Sequence, residues 1–212
     1  MTYREFYKAM HSFVVFSYED IRGVFGSIDR RRLHEWADKG DVIRLTKGHY
    51  VFSEFLGAAG LELLISNKIY EPSYITAEYV MSQHSLIPEA VYTITGVSTR
   101  KTNHFSTAAG EFSYRSIKRE LFTGYDMKKV TLHLAGKQTE RLVRIASLEK
   151  AFFDFMYFRN MHLTSDQIAH YRFDDHILAS MDQERLRAFI QKAGRKSLES
   201  TLTTILKHHD VV

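Results

Sequence analysis

The sequence predicts an α+β protein in two parts, and three observations predict it. Over the first fifty-odd residues, helical periodicity, short strand-like runs and stop signals alternate in a fixed order. From Val91 to Ile145 the hydrophobic period shifts from about 3.6 to about 2, the mark of strands with one buried face. From Ser147 to His208 it returns to the helical value.

The elements of the first part carry their own signals. Tyr3–His11 reads as a short helix with Phe6, Tyr7 and Met10 on one face. Val14-Val15-Phe16 is a short strand. Ser17 stands where an N-cap belongs, with Glu19 and Asp20 in the first turn of a helix over Tyr18–Phe25 that Gly26 stops. Ser27 is expected to cap a further helix running through Asp38, where Leu33, Trp36 and Ala37 form a buried stripe. Gly40 ends that helix. Val42 to Phe52 reads as a β-hairpin with Lys47-Gly48 at its tip. Helix, strand, helix, short turn, helix, hairpin is the order of a winged helix-turn-helix, with the hairpin as the wing.

The second part is expected to be a mixed α+β domain with antiparallel strands and C-terminal helices. Helices are expected over Ala58–Asn67 and Thr76–Ser85, and strands over Val91–Ser98, Thr102–Thr107 and Glu111–Ile117. Lys129–Leu134 and Arg141–Ile145 form another hairpin. Three helices follow, over Ser147–Arg159, Asp182–Ala193 and Ser197–His208. Gly57 and Gly60 interrupt the pattern between Phe52 and Leu63, which places the boundary there: residues 1–55 and 56–212.

Composition narrows the function classes. Of 212 residues 44% are hydrophobic, enough for a sizeable core. There is no cysteine, which excludes disulfides, Cys-ligated zinc and thiol catalysis. Met1 to Phe13 carries Arg4, Glu5 and Lys8 and lacks the shape of a signal peptide, and no apolar run approaches a membrane span. A soluble, cytoplasmic protein without a membrane partner is expected. The net charge of +4 permits an acidic partner. It is not concentrated in either part: residues 1–55 hold nine Lys/Arg and eight Asp/Glu, and the rest 20 and 17. Any case for nucleic acid therefore rests on where the cations sit.

The sharpest local feature is Arg30-Arg31-Arg32 at the start of the third helix. With Leu33 and Trp36 turned inward, Arg31 and Arg32 are expected to point outward, Arg30 lying nearer the buried stripe. A recognition helix meets base edges there, and an arginine fork matches the acceptors of guanine and grips phosphates. Ser27, through the helix N-terminus, and Arg44, Lys47 and His49 on the hairpin complete the expected duplex-DNA contacts. Arg100, Lys101, Arg115, Lys118 and Arg119 form a second candidate basic surface, the alternative being a strand edge blunted by charge.

Enzyme chemistry finds little purchase. A metal-dependent nuclease would need carboxylates on adjoining strands beside a lysine, and Asp126 with Lys128 is the nearest match. His208-His209-Asp210 places two histidines side by side, where a helix makes them diverge. No P-loop, dinucleotide fingerprint or nucleophile elbow occurs. No catalytic residue, metal or cofactor is expected.

Several stretches carry a family resemblance. Glu71-Pro72-Ser73-Tyr74-Ile75-Thr76-Ala77-Glu78-Tyr79, His84-Ser85-Leu86-Ile87-Pro88-Glu89, and Tyr92-Thr93-Ile94-Thr95 leading to Thr99-Arg100-Lys101 are similar to the AbiEi-type antitoxins of type IV toxin–antitoxin systems. Arg144-Ile145-Ala146-Ser147-Leu148-Glu149-Lys150-Ala151, continuing to Asp154, resembles a helix start of the same family. The match spans most of residues 14–160; each motif is short, and their order gives the specificity. The resemblance implies a DNA-binding N-terminal domain that represses its own operon, and a second domain that counters a nucleotidyltransferase-like toxin. A stand-alone regulator or an interaction module without a toxin partner is the alternative.

Overall fold

The computed structural model describes residues 1–134, 137–159 and 165–209. The protein is mixed α+β. Helix α1 (Tyr3–Met10) opens with a capping box between Thr2 and Glu5 and buries Phe6 and Met10. Strand β1 (Val15–Ser17) leads into α2 (Tyr18–Phe25), which Ser17 and Asp20 cap reciprocally and Gly26 ends at φ +72°. Helix α3 (Arg30–Asp38) buries Leu33 and Trp36. Strands β2 (Val42–Thr46) and β3 (His49–Phe52) follow as a hairpin whose tip needs Gly48 at φ +90°. β1 pairs with β3, closing a three-stranded antiparallel sheet of order β1-β3-β2 that the sequence reading did not foresee. One contact network of rings holds these pieces: Phe6 to Trp36 at 4.6 Å, Phe6 to Phe16 at 5.6 Å and Phe16 to Phe52 at 5.0 Å. Each buried ring of this kind contributes on the order of 1.5–3 kcal/mol.

The remaining elements are α4 (Leu61–Ile69), β4 (Ser73–Ile75), α5 (Glu78–Gln83), β5 (Ile94–Ser98), β6 (Asn103–Thr107), β7 (Gly110–Ser116), β8 (Tyr125–Leu134), β9 (Lys137–Ala146), α6 (Leu148–Arg159), α7 (Ser165–Tyr171), α8 (Asp175–Ser180), α9 (Gln183–Ala193) and α10 (Lys196–His208). The strands form a six-stranded sheet of order β6-β7-β5-β4-β9-β8. The expectation of antiparallel strands is corrected here: β4/β5, β6/β7 and β8/β9 are antiparallel, but β5/β7 and β4/β9 are parallel. Two further expectations shift. The helix expected from Ala58 starts at Leu61, because Gly57 and Gly60 both adopt positive φ. The helix expected from Thr76 starts at Glu78, because Thr76 continues from a strand too short to show a period. Among the described residues five helices, not three, follow the last strand; α7 and α8 are seven and six residues long. The tip of the β8–β9 hairpin and Asp210 lie outside the described residues.

Alternation divides the sheet. Tyr114 faces α4 and donates to the Ser66 carbonyl at 2.7 Å, whereas Tyr74 faces α6 and donates to Asp154 at 2.9 Å. Gly96 lies between these rows: a Cβ there would sit 3.0 Å from the Tyr74 carbonyl and 3.3 Å from the Tyr114 ring. Under α6 lies a polar knot. Asp154 accepts from Lys150 Nζ at 2.5 Å and from Thr76 Oγ1 at 2.8 Å besides Tyr74. Lys150 and Asp154 are fully buried. Burial pushes the Lys150 ammonium down and the Asp154 carboxyl up, against the attraction that each exerts on the other.

The buried side chains of both parts form one continuous cluster. The parts are also tied by charge: Lys68 on α4 reaches Asp20 on α2 at 3.0 Å, and Arg141 on β9 donates to the Ser12 carbonyl. No helix among the described residues is long and apolar enough to cross a membrane.

Candidate nucleic-acid interface

Between α3 and the β2–β3 hairpin lies a cleft of about 430 Å³. Arg30, Leu33 and His34 line it from α3, and Arg44, Lys47, Gly48, His49 and Tyr50 from the hairpin, with Tyr18 and Glu19 completing the lining from the start of α2. Helical geometry puts Arg30 and His34, four residues apart, on one face of α3. The chain is arranged around Tyr18. Its amide donates to the Gly48 carbonyl at 2.9 Å, fixing the hairpin tip against the start of α2. Its hydroxyl donates to the Ile28 carbonyl at 3.3 Å, fixing the connection into α3. Its ring carries the Arg30 guanidinium 4.7 Å from the centroid.

The expected contact residues divide. Ser27 does not cap α3; Asp29 does, accepting from the Arg31 amide at 3.0 Å, and Ser27 sits exposed in the preceding loop. Asp29 offers a carboxylate where Ser27 offered a hydroxyl, and its charge matches the helix N-terminus. Arg30, expected to lie near the core, is exposed and shares the cleft with the hairpin cations. Arg32 is exposed but turns away from it, donating to the Met1 carbonyl at 2.7 Å. Arg31 is exposed, and its side chain has no hydrogen bond or ion pair among the described residues. Arg44 is held by Nε donation to the Thr46 carbonyl at 3.3 Å, across a register shift in the hairpin. His49 is half-buried, with Nδ1 2.9 Å from Thr46 Oγ1. Burial, aided by the Lys68 charge, pushes its pKa below the ordinary histidine value. The shift favours the neutral imidazole, so His49 is less readily a cation than Arg44 or Lys47 beside it.

Asp20 shows how the module is braced. Burial pushes its carboxyl up, yet the hydrogen bonds from Ser17 and Lys68 outweigh this and hold it below the usual carboxylate range.

The second candidate basic surface is not gathered. Arg100 stacks 4.4 Å from the Tyr70 centroid and donates to the Glu71 carbonyl, beside rings on the α4 side of the sheet. Arg115 alternates with Tyr114 and so faces α6, over Phe158. Lys118 pairs with Glu120 at 3.9 Å, and Lys101 and Arg119 are exposed on the connections. Asp126 and Lys128 are exposed on β8, an edge strand. Among the described residues no group of three or more His, Asp or Glu is placed to hold a metal ion.

Sequence reasoning missed His34, Tyr18 and Glu19. The four-residue spacing from Arg30 was a usable signal for His34. Nothing local marks Tyr18, whose part depends on three segments meeting. No known protein-family model matches this chain, and no curated protein matches it.

Proposed function

We propose that this chain is a DNA-binding regulator whose first part is a winged helix-turn-helix, with α3 as the recognition helix and the β2–β3 hairpin as the wing. The observation that carries the reading is the cleft in which Arg30 on α3 faces Arg44 and Lys47 on the hairpin. A helix and a hairpin flanking a cationic cleft suit a duplex, the helix entering the major groove and the hairpin tip following the backbone. Arg30 and Arg31 then address base edges from the first turn of α3, and Arg44 and Lys47 address phosphates. Arg32 has less part in this than its sequence position suggests, since it is bonded to the chain start.

The similarity of residues 71–101 and 144–154 to AbiEi-type antitoxins supports a more specific role: repression of its own operon in the cytoplasm, and neutralisation of a nucleotidyltransferase-like toxin by the second part, without catalysis of its own. The test is a gel-shift titration of the full chain against the DNA upstream of its own gene, with scrambled duplex as competitor. Binding that resists the competitor and weakens steeply with salt supports the regulator. Binding erased equally by any duplex removes it and leaves a protein-interaction module.

A further inference from the structure

On the α6 face of the sheet, away from the cleft described above, lies a second hollow of about 450 Å³. Its floor is Val97 on β5, with Ser113 and Arg115 on β7; its walls are Phe155 and Phe158 on α6, and Tyr92 stands at its rim. Tyr92 is 89% exposed, an unusual position for a large ring in a chain that buries most of its rings.

The charges of this hollow are unequal. Arg159 on α6 is occupied: it pairs with Glu78 at 3.2 Å, donates to the Tyr171 hydroxyl at 2.8 Å and stacks 4.5 Å from the Phe155 centroid. Arg115 is not. Among the described residues it has one long bond, 3.4 Å to the Phe158 carbonyl, lies 5.6 Å from the Phe158 centroid, and has no carboxylate partner. Arg159 and Glu78 cancel, so among the described residues the hollow presents one guanidinium without a counter-charge beside an apolar wall, with Ser113 and Thr93 also in the lining. Hollows of this size with an apolar lining and a few convergent polar groups are the usual form of a small-molecule site.

We propose that this hollow binds a small organic monoanion: a carboxylate held by Arg115, with an aromatic or aliphatic body against the half-buried Phe158 and the exposed ring of Tyr92. A planar guanidinium matches a carboxylate in two parallel hydrogen bonds. One guanidinium without a carboxylate partner among the described residues fits one negative charge, and the apolar wall gives affinity to a body that inorganic anions lack. This site is independent of the DNA reading.

The test uses the full-length protein and three probes: phenylacetate, benzyl alcohol and inorganic phosphate. Each is titrated while the amide resonances of Val97, Ser113 and Phe158 are followed by NMR. The expected result is saturable shifts with phenylacetate, and at least tenfold weaker binding of benzyl alcohol and of phosphate. Arg115→Ala abolishes the phenylacetate response by tenfold or more, while Arg115→Lys retains part of it. Arg115 is exposed, so both variants keep the wild-type thermal midpoint, which is measured alongside. Unsaturated or absent phenylacetate shifts overturn the proposal, as does an unchanged affinity in Arg115→Ala. Equal affinity for phosphate and phenylacetate also overturns it, since the apolar wall would then play no part.

Discussion

The cleft beside α3 and the knot under α6 are both rich in charge, but they treat it in opposite ways. In the cleft, Arg30 rests on a ring, Lys47 has no ion-pair partner among the described residues, and Glu19 is the one acidic residue in the lining. In the knot, every polar atom is matched: Asp154 accepts three hydrogen bonds and Lys150 is enclosed by Asp154 and the rings of Tyr74, Phe153 and Phe189. A buried charge without its partner is expensive, so it is satisfied inside the fold and is then unavailable to anything outside. An exposed cation is hydrated at little cost and remains available to an anionic partner. The same residue types therefore report architecture in one region and recognition in the other.

The largest expected effect comes from breaking the knot. Asp154→Ala leaves Lys150 buried without a counter-charge and removes the acceptor of Tyr74 and Thr76. Loss of one partner of a buried pair costs about 3–5 kcal/mol, a large share of the roughly 5–15 kcal/mol that holds an ordinary domain folded. The double variant Lys150→Met with Asp154→Leu is expected to be less destabilising than Asp154→Ala, because the charge left behind is removed as well. Urea unfolding of the two variants checks this. A double variant as unstable as the single one would mean that the Tyr74 and Thr76 hydrogen bonds, not the ion pair, hold α6 to the sheet.

Emptying the cleft should do the reverse, removing binding while sparing the fold. Arg30→Ala, Arg44→Ala and Lys47→Ala together are expected to leave the thermal midpoint within a few degrees of wild type, since substitutions of exposed residues rarely exceed about 0.5 kcal/mol each. Duplex affinity should fall about a hundredfold or more at moderate salt, and the slope of log affinity against log salt should decrease by about two, one for each hairpin cation lost from a phosphate. Arg30→Ala alone should relax sequence preference more than it weakens scrambled-duplex binding. An unchanged salt slope in the triple variant would place the DNA elsewhere on the molecule.

A finer distinction separates residues that touch a partner from those that arrange the cleft. Tyr18 holds the hairpin tip, the loop before α3 and the Arg30 guanidinium together. Tyr18→Phe keeps the ring and the backbone bond, and should cost less than threefold in duplex affinity. Tyr18→Ala removes the support of Arg30, and about tenfold is expected, the scale of roughly 1.4 kcal/mol. Titrating both variants with the same duplex tests whether the ring or the hydroxyl matters.

How far the sequence revealed these two regions follows from the range of the interactions. Ser17, Gly26 and the Lys47-Gly48 tip were legible because caps and turns act within a few residues. The buried stripe of α3 was legible because Leu33 and Trp36 recur at helical spacing. Strand β4 was not: three residues carry no period, and Ser73–Ile75 is a strand because β5 and β9 flank it. The cap of α3 was misplaced from Asp29 to Ser27 because both residues suit the position, and the choice depends on where the chain enters the helix. The knot was half visible. Lys150 and Asp154 are spaced for one helix face, but α6 is apolar nearly all round, so which face meets Tyr74 and Thr76 is a tertiary fact. The grouping of Arg100 with Arg115 failed for a related reason: they are near in sequence, yet the sheet separates them.

The smallest expected effect lies where the two kinds of charge meet. His49 lines the cleft but is half-buried, and burial together with the Lys68 charge lowers its pKa below the ordinary value. The unfolded chain therefore binds a proton to His49 more readily than the folded protein does. The stability linked to its neutral form is fully present above the unfolded value near pH 6.5 and is lost as the pH falls from there through the lower folded value. Unfolding midpoints measured between pH 7.5 and 5 should decline, and His49→Gln, which has no proton to gain, should decline less. The same protonation adds a cation at the wall of the cleft. Lowering the pH should then strengthen duplex binding slightly in wild type while weakening the fold, and do neither through this residue in His49→Gln. Parallel stability and gel-shift series over that range separate the two: identical slopes for wild type and variant in both would show that His49 titrates alike in the folded and unfolded chain.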